Sequence, residues 1–190
     1  MPENTDKLRL RNELRQRRRA LTPEQRGVAA ANLPAHACSI PDWSAYQSFA
    51  GYIAADAEID PAPLLGQLAD AGKQVYLPVI EADNHLSFAP WSPGDSLLTN
   101  RFGIPEPLPN RPRIPAGDVE VILLPLVGWD RHGGRLGMGG GFYDRSLAGS
   151  STLKIGLGYA CQEVALLPRE PWDVVMDFIA TETALHNCRR

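Results

Sequence analysis

The sequence is poor in cysteine, poor in aromatic residues and free of long apolar runs, and each shortage excludes something. Its three cysteines, Cys38, Cys161 and Cys188, are odd in number and lack CxxC spacing. That argues against a disulfide framework and against a structural zinc site. The four histidines, His36, His85, His132 and His186, show no ligand spacing and receive no chemistry. The apolar run from Val121 to Trp129 is far too short to span a bilayer, and the opening residues carry no signal-peptide pattern. With 44% hydrophobic and 22% charged residues, the chain is neither disordered nor fibrous. These absences lead us to expect a soluble protein of a reducing compartment, most simply the cytoplasm. At 190 residues we expect one domain, able to bury roughly 70% of its unfolded surface without staples.

The net charge of −3 conceals an asymmetry. Residues 1–19 carry seven bases (Lys7, Arg9, Arg11, Arg15, Arg17, Arg18, Arg19) against three acids (Glu3, Asp6, Glu13), whereas the rest of the chain carries twelve bases and nineteen acids. An acidic body with a basic N-terminal arm can hold nucleic acid, a polyphosphate or simply water. Composition alone does not choose.

The arm reads as a helix packed on the body through Leu10, Leu14 and Leu21, which recur at spacings of four and seven. Thr22-Pro23-Glu24-Gln25 starts a second helix as a capping box, with proline in the first turn, and Pro34 ends or kinks it. The pattern then changes to short apolar runs separated by turns. Strands are expected over 48–54, 74–80, 86–91, 119–127, 153–159 and 178–183, and helices over 61–71 and 142–147. Gly72 closes the first of these helices, and Asp83-Asn84 joins two of the strands. Residues 100–118 hold five prolines and are expected as an extended loop without regular structure. The run 119–127 has the near-continuous apolar character of a strand buried on both faces. Strands alternating with helices imply an α/β fold, three-layered, with a mainly parallel sheet.

The densest signal is Gly128-Trp-Asp-Arg-His-Gly-Gly-Arg-Leu-Gly-Met-Gly-Gly-Gly-Phe-Tyr-Asp144. Six of the nine residues from 133 to 141 are glycine, placed between a buried strand and a helix start. Such a loop lets backbone N–H groups face an anion without side chains in the way. No Lys-Ser/Thr follows, so it is not a Walker A loop, and the dinucleotide GxGxxG spacing fails. A tight strand-to-helix turn needs only one or two glycines; six, flanked by Arg135 and Asp144, favour a ligand loop.

The stretch Leu124-Pro125-Leu126-Val127-Gly128-Trp129-Asp130, with Gly134-Arg135-Leu136-Gly137 and Gly139-Gly140-Gly141-Phe142-Tyr143-Asp144, resembles the signature of the 5-formyltetrahydrofolate cyclo-ligase (5,10-methenyltetrahydrofolate synthetase) family. Further pieces resemble it in the same order along nearly the whole chain. They are residues 7–11, Glu58-Ile59-Asp60, the stretch 102–107, Asp173 and Thr181-Glu182. Met138 and the Phe142-Tyr143 pair depart from the pattern of many relatives, which carry an aromatic or basic residue and a Tyr-Tyr pair there.

The resemblance implies a Rossmann-like three-layer domain with ligands at the carboxyl ends of its strands. It implies an ATP-dependent ligase that closes 5-formyltetrahydrofolate to 5,10-methenyltetrahydrofolate with Mg²⁺, releasing ADP and phosphate. On that resemblance, ATP is held by Lys7, Leu8, Arg9, Leu10 and Arg11, and by Arg135, Leu136, Gly137, Met138, Gly139, Gly140, Gly141, Phe142 and Tyr143. The folate lies against Ile53, Glu58 and residues 138–142, with Tyr143 beside it, and Asp144 and Asp173 match the metal positions. Lys7, Arg11 and Arg135 suit a triphosphate, arginine through two N–H groups at once. A carboxylate at Glu58 can accept two hydrogen bonds from an amino-pyrimidine edge. A monomer or weak dimer is expected, with no nucleic-acid or membrane partner.

Blander roles are available to each group. Lys7 and Arg11 can form a solvated helix face. Glu58 can cap the helix that begins near Pro61, and Asp144 can sit in a first helical turn. Asp173 can pair with Arg169 at the surface, and Phe102 and Trp129 can be core or rim packing. Two further functions stand beside the ligase: a non-catalytic nucleotide- or folate-binding relative, and, weakest, a nucleic-acid-binding module using the basic arm.

Overall fold

The computed structural model describes residues 5–189, so the first four residues of the basic arm and Arg190 lie outside the described part. The chain opens with α1 (Thr5–Arg19) and α2 (Pro23–Ala37), then β1 (Ser48–Ala50), α3 (Ala62–Asp70), β2 (Gln74–Ile80) and β3 (Leu86–Pro90). Short strands follow: β4 (Leu97–Thr99), β5 (Pro105–Pro107) and β6 (Ile114–Pro115). Next come β7 (Val121–Pro125), β8 (Gly128–Trp129), β9 (Arg135–Leu136), α4 (Phe142–Ser146), β10 (Leu153–Leu157), β11 (Phe178–Ala180) and β12 (Leu185–Asn187).

The main sheet runs β12-β11-β10-β7-β1-β2-β3-β6. Its five inner strands, β11 to β2, are parallel, while β12 on one edge and β3 and β6 on the other are antiparallel. The expected α/β class and mainly parallel sheet are therefore correct. Side chains alternate across the sheet as period-two geometry requires. Phe49, Val121, Leu123 and Ile155 enter one core with Leu33 of α2 and Leu64, Leu65 and Leu68 of α3. Ala50, Ile122, Leu124 and Ile179 enter the other, closed by Phe88, Val119, Leu147, Met176 and the aromatic rings of α4.

The helix starts follow local chemistry. Thr22 Oγ1 accepts from Gln25 N–H at 3.2 Å and Gln25 Oε1 from Thr22 N–H at 2.8 Å, the reciprocal box read from the sequence. Pro34 neither ends nor breaks α2, which continues to Ala37. Only the last turn follows it and its ring is buried, so packing offsets the one hydrogen bond lost.

The expectation of an irregular segment over 100–118 is corrected. Pro105 and Pro107 stand in β5 and Pro115 in β6, short strands paired with β4 and β3, where a missing donor is tolerated, while Pro109 and Pro112 lie between them. Glu106 Oε1 ties the segment down by accepting from Ile80 N–H (3.0 Å) and Asn100 Nδ2 (2.7 Å). The strands expected over 119–127 and 48–54 are shorter than the apolar runs, because the chain leaves the sheet at Pro125 and Ala50 to enter loops.

α1 lies across the strand ends. Leu14 is fully buried with Val127, Leu136 and Leu167, with Leu10 packed against them. A Cβ on Gly128 would stand 2.3 Å from Leu14 Cδ1, so glycine at 128 is what lets the helix approach so closely.

Candidate active site

At the carboxyl ends of β1 and β7 the chain opens a cleft of about 1130 Å³. The segment after β1 contributes Tyr52, Ile53, Asp56 and Glu58, and β7 runs into Pro125, Leu126 and Val127 along its floor. The glycine loop and α4 form one wall. α1 brings in Lys7 and Arg11, and residues 171–174 complete the rim. Ligands of parallel α/β sheets occupy this position because loops diverge where the strands end.

Charged groups meet here in pairs. Lys7 Nζ lies 2.9 Å from Asp173 Oδ2, with Glu170 at 3.9 Å. Arg135 Nη2 donates to both oxygens of Asp144 at 3.0 Å, and Asp144 Oδ1 also accepts from Val174 N–H at 3.2 Å. The Arg135 side chain is only 6% exposed, and its Nε has no hydrogen-bond partner. A buried guanidinium with an unused donor beside a cleft suits an anionic ligand. Arg11 Nε donates to Gly137 C=O at 2.7 Å and so ties α1 to the glycine loop. Burial pulls the Arg11 guanidinium below its usual value, against the opposing pull of Asp173.

The loop is shaped by backbone conformation and by one buried acid. Gly139 and Gly141 have φ of 99° and 66°, values that disfavour any residue with a Cβ. Asp130 is fully buried and accepts from His132 N–H (2.8 Å), Gly134 N–H (2.9 Å) and Leu167 N–H (2.9 Å). Three backbone donors hold its carboxylate, and it in turn fixes the entry to the loop. Asp130 lies in the turn of the small hairpin that β8 and β9 form.

Glu58 also lines the cleft. Its Oε2 accepts from Ala55 N–H at 3.1 Å, and its Oε1 lies 3.8 Å from Arg18 Nη1. Burial pushes its carboxyl above the ordinary carboxylate range, opposed by the Ala55 hydrogen bond and by Arg18. Burial likewise pushes the Tyr143 phenol up, and Arg135 stands over that ring at 5.7 Å.

The structure brings together most of the residues singled out in the sequence. Lys7, Arg11, Ile53, Glu58, Arg135, Leu136, Gly137, Met138, Gly139, Gly140, Gly141, Phe142, Tyr143, Asp144 and Asp173 all line one cleft. Leu8, Arg9 and Leu10 are not among the lining residues: Leu8 is exposed, while Arg9 and Leu10 border a shallow hollow against residues 166–168.

The blander roles fare unevenly. Asp60 Oδ1, not Glu58, accepts from Ala62 N–H at the start of α3. Asp173 meets Lys7 and not Arg169. Asp144 does lie in the first turn of α4. Trp129 is core, its Nε1 donating to Tyr159 C=O at 3.0 Å, but Phe102 is 52% exposed and stacks edge-on against Phe142 at the cleft mouth.

Sequence reasoning missed Asp56, which gathers Arg15, Arg18 and Arg19 of the basic arm. Arg17 pairs with Glu13. Much of the arm's charge is thus answered within the chain.

The sequence model of the 5-formyltetrahydrofolate cyclo-ligase family matches residues 3–182. The chain is 40% identical over 174 residues to 5-formyltetrahydrofolate cyclo-ligase of Escherichia coli, covering 88% of this chain and 96% of that one. It is 38% identical over 178 residues to the Haemophilus influenzae enzyme of the same name, covering 90% and 95%. The NMR structure of Aquifex aeolicus 5,10-methenyltetrahydrofolate synthetase superposes with a TM-score of 0.84 at 32% identity, covering 97% of this chain and 93% of that one. By sequence and by fold, the chain belongs to the 5-formyltetrahydrofolate cyclo-ligase family.

Proposed function

We propose that the protein catalyses the ATP-dependent cyclisation of 5-formyltetrahydrofolate to 5,10-methenyltetrahydrofolate, with release of ADP and phosphate. The observation that carries the reading is the convergence of Lys7, Arg11 and Arg135 with Asp144, Asp173 and Glu58 in one cleft of a chain of this family.

The chemistry joins the formyl oxygen to the γ-phosphoryl group of ATP. Attack of the folate side-chain amine on the activated carbon then closes the five-membered ring, and phosphate leaves. Phosphoryl transfer asks a protein mainly for positioning and for neutralisation of charge. Lys7 and Arg11, from α1, and Arg135, from the loop, are placed to hold phosphate oxygens. Amides of residues 137–141 offer further donors held by the backbone, which costs little reorganisation as charge shifts. Glu58 takes the amino-pyrimidine edge of the pterin at the far end, and Ile53, Phe142 and Tyr143 give flat apolar surface between.

The carboxylates of Asp144 and Asp173 fit Mg²⁺, which takes hard oxygen donors and needs only one or two from protein when phosphate oxygens supply others. When bound, Mg²⁺ would neutralise charge on the triphosphate. Neither aspartate need be a permanent ligand.

The whole chain acts on this reading as one cyclo-ligase domain, with the basic helix α1 packed on its body. It is a cytoplasmic monomer or weak dimer without nucleic-acid or membrane partners. No helix among the described residues is long and apolar enough to cross a membrane. Absorbance of the methenyl product, followed with ATP and Mg²⁺ each omitted in turn, tests the reading. Product is expected only with both, and product formed without ATP overturns it.

A further inference from the structure

Arg18 belongs to the basic face of α1 in sequence, yet its side chain is fully buried. A guanidinium taken wholly out of water is costly unless every part of it is used. Its Nη2 donates to Asp56 Oδ2 at 2.9 Å and its Nη1 to Leu126 C=O at 3.3 Å. Nη1 also lies 3.8 Å from Glu58 Oε1, while Nε has no hydrogen-bond partner. Asp56 does not depend on Arg18 for neutrality, since Arg15 and Arg19 both reach it.

The groups facing Glu58 are few. Arg18 comes from α1, Asp56 from the same loop, and the phenols of Tyr52 and Tyr143 from the end of β1 and from α4. Tyr159 donates to the Glu58 backbone carbonyl at 3.3 Å and leaves the carboxylate alone. Among these groups, Arg18 supplies the positive charge.

We propose that Arg18 is a positioning residue for the pterin end of the substrate, holding the Glu58 carboxylate ionised and turned into the cleft. The proposal rests on the reading of Glu58 given above. It also gives α1 a second task. Lys7 and Arg18 lie eleven positions apart on one helix, about 16.5 Å at 1.5 Å per residue, so one rigid element sets both the phosphate end and the pterin end of the cleft. Burial drives the Glu58 carboxyl upward and Asp56 adds to that; the Ala55 hydrogen bond and Arg18 act the other way.

The test is the pH profile of KM for 5-formyltetrahydrofolate, read against kcat, in wild type, Arg18→Gln, Arg18→Lys and Asp56→Asn. Protonation of Glu58 raises KM on the acid side. Loss of the cation in Arg18→Gln moves that acid limb to higher pH by about one unit, the scale of a charge removed at such a distance. Loss of the neighbouring anion in Asp56→Asn moves it to lower pH, and Arg18→Lys stays near wild type. Opposite shifts from two contacting residues are not what a merely structural role produces. Should Arg18→Gln fail to fold, Asp56→Asn still decides by the direction of its shift. Glu58→Gln serves as the control. If it keeps the wild-type KM and limb, the reading of Glu58 fails. If it loses the limb while the Arg18 and Asp56 variants retain the wild-type one, Arg18 has no such role.

Discussion

Lys7 and Asp173 are 166 residues apart in sequence and 2.9 Å apart in space, and Arg135 and Asp144 repeat the arrangement at 3.0 Å. Two of the three cations proposed for the triphosphate, Lys7 and Arg135, are thus paired with the carboxylates proposed for the metal. Within each pair the charges neutralise one another, so on the proposed reading nucleotide binding is an exchange of partners. ATP by itself would draw Lys7 and Arg135 away and leave two aspartates facing a polyanion. ATP with Mg²⁺ offers every group a new counter-charge.

The first prediction follows from that exchange. ATP with Mg²⁺ should bind wild type at least about tenfold more tightly than metal-free ATP, the scale of one charged hydrogen bond. Asp173→Asn leaves Lys7 only the longer contact to Glu170 and should narrow the gap by strengthening metal-free binding. Asp144→Asn should lower turnover strongly with the fold intact, and raised Mg²⁺ should rescue part of the loss. Calorimetric titrations with and without chelator, and the Mg²⁺ dependence of turnover, check both. Coincident curves in all three proteins would show these to be structural ion pairs only.

Glu58→Gln separates binding from stability. The change converts an acceptor oxygen into a donor facing other donors, which should weaken folate binding by about 2–3 kcal/mol and leave ATP affinity unchanged. Stability should move the opposite way. The folded carboxyl titrates above its unfolded value because it is buried. Folding therefore favours its protonated form, and that contribution is lost as pH rises through the raised value. Glutamine removes the penalty, so thermal unfolding near neutral pH should shift upward in the variant. Unaltered folate affinity would leave Glu58 with no part in substrate binding.

What was legible in the sequence was local or periodic. The limits of β2 match the expected strand, and the Thr22 capping box forms as read, because both depend on near neighbours. The glycine loop stood out through its composition and its place between a strand and a helix start, and it lines one wall of the cleft. Pairings across the fold were not legible. Nothing near Asp173 points to Lys7, which reaches it only once α1 docks over the strand ends. Arg18 looks like its neighbours Arg17 and Arg19 on a basic face. Its burial depends on Asp56 and on the Leu126 carbonyl being carried to it by loops after β1 and β7. The prolines of β5 and β6 hid two edge strands, since an edge partner tolerates a missing N–H and sequence does not disclose where the edge will be.

Asp130 tests how the glycine loop is held. Its carboxylate accepts three backbone N–H groups, and a Cβ on Gly134 would lie 2.3 Å from Oδ2. Asp130→Asn keeps the shape but turns an NH₂ toward one or two of these donors. The expected cost is about 2–3 kcal/mol, or about 4–12 °C in Tm for a chain of this size. Thermal denaturation measures it, and an unchanged Tm would mean that the loop entry is held by other contacts.

Arg11 tests whether α1 acts on the loop by charge or by direction. Its Nε–H points at Gly137 C=O at 2.7 Å, a bond that an ammonium group on a different stem does not reproduce. Arg11→Lys keeps the charge and loses that geometry; Arg11→Ala loses both. Leu14 and Arg18, buried about one and about two turns further along, keep α1 docked in either variant. Hydrogen exchange over residues 137–141 should therefore speed up in both proteins. Turnover should fall by about tenfold in Arg11→Lys, the scale of one charge-assisted hydrogen bond, and further in Arg11→Ala. If the lysine variant exchanges and turns over like wild type, charge alone suffices and the bond to Gly137 is incidental. If neither variant alters exchange, the loop keeps its shape without α1, and Arg11 acts on the nucleotide directly.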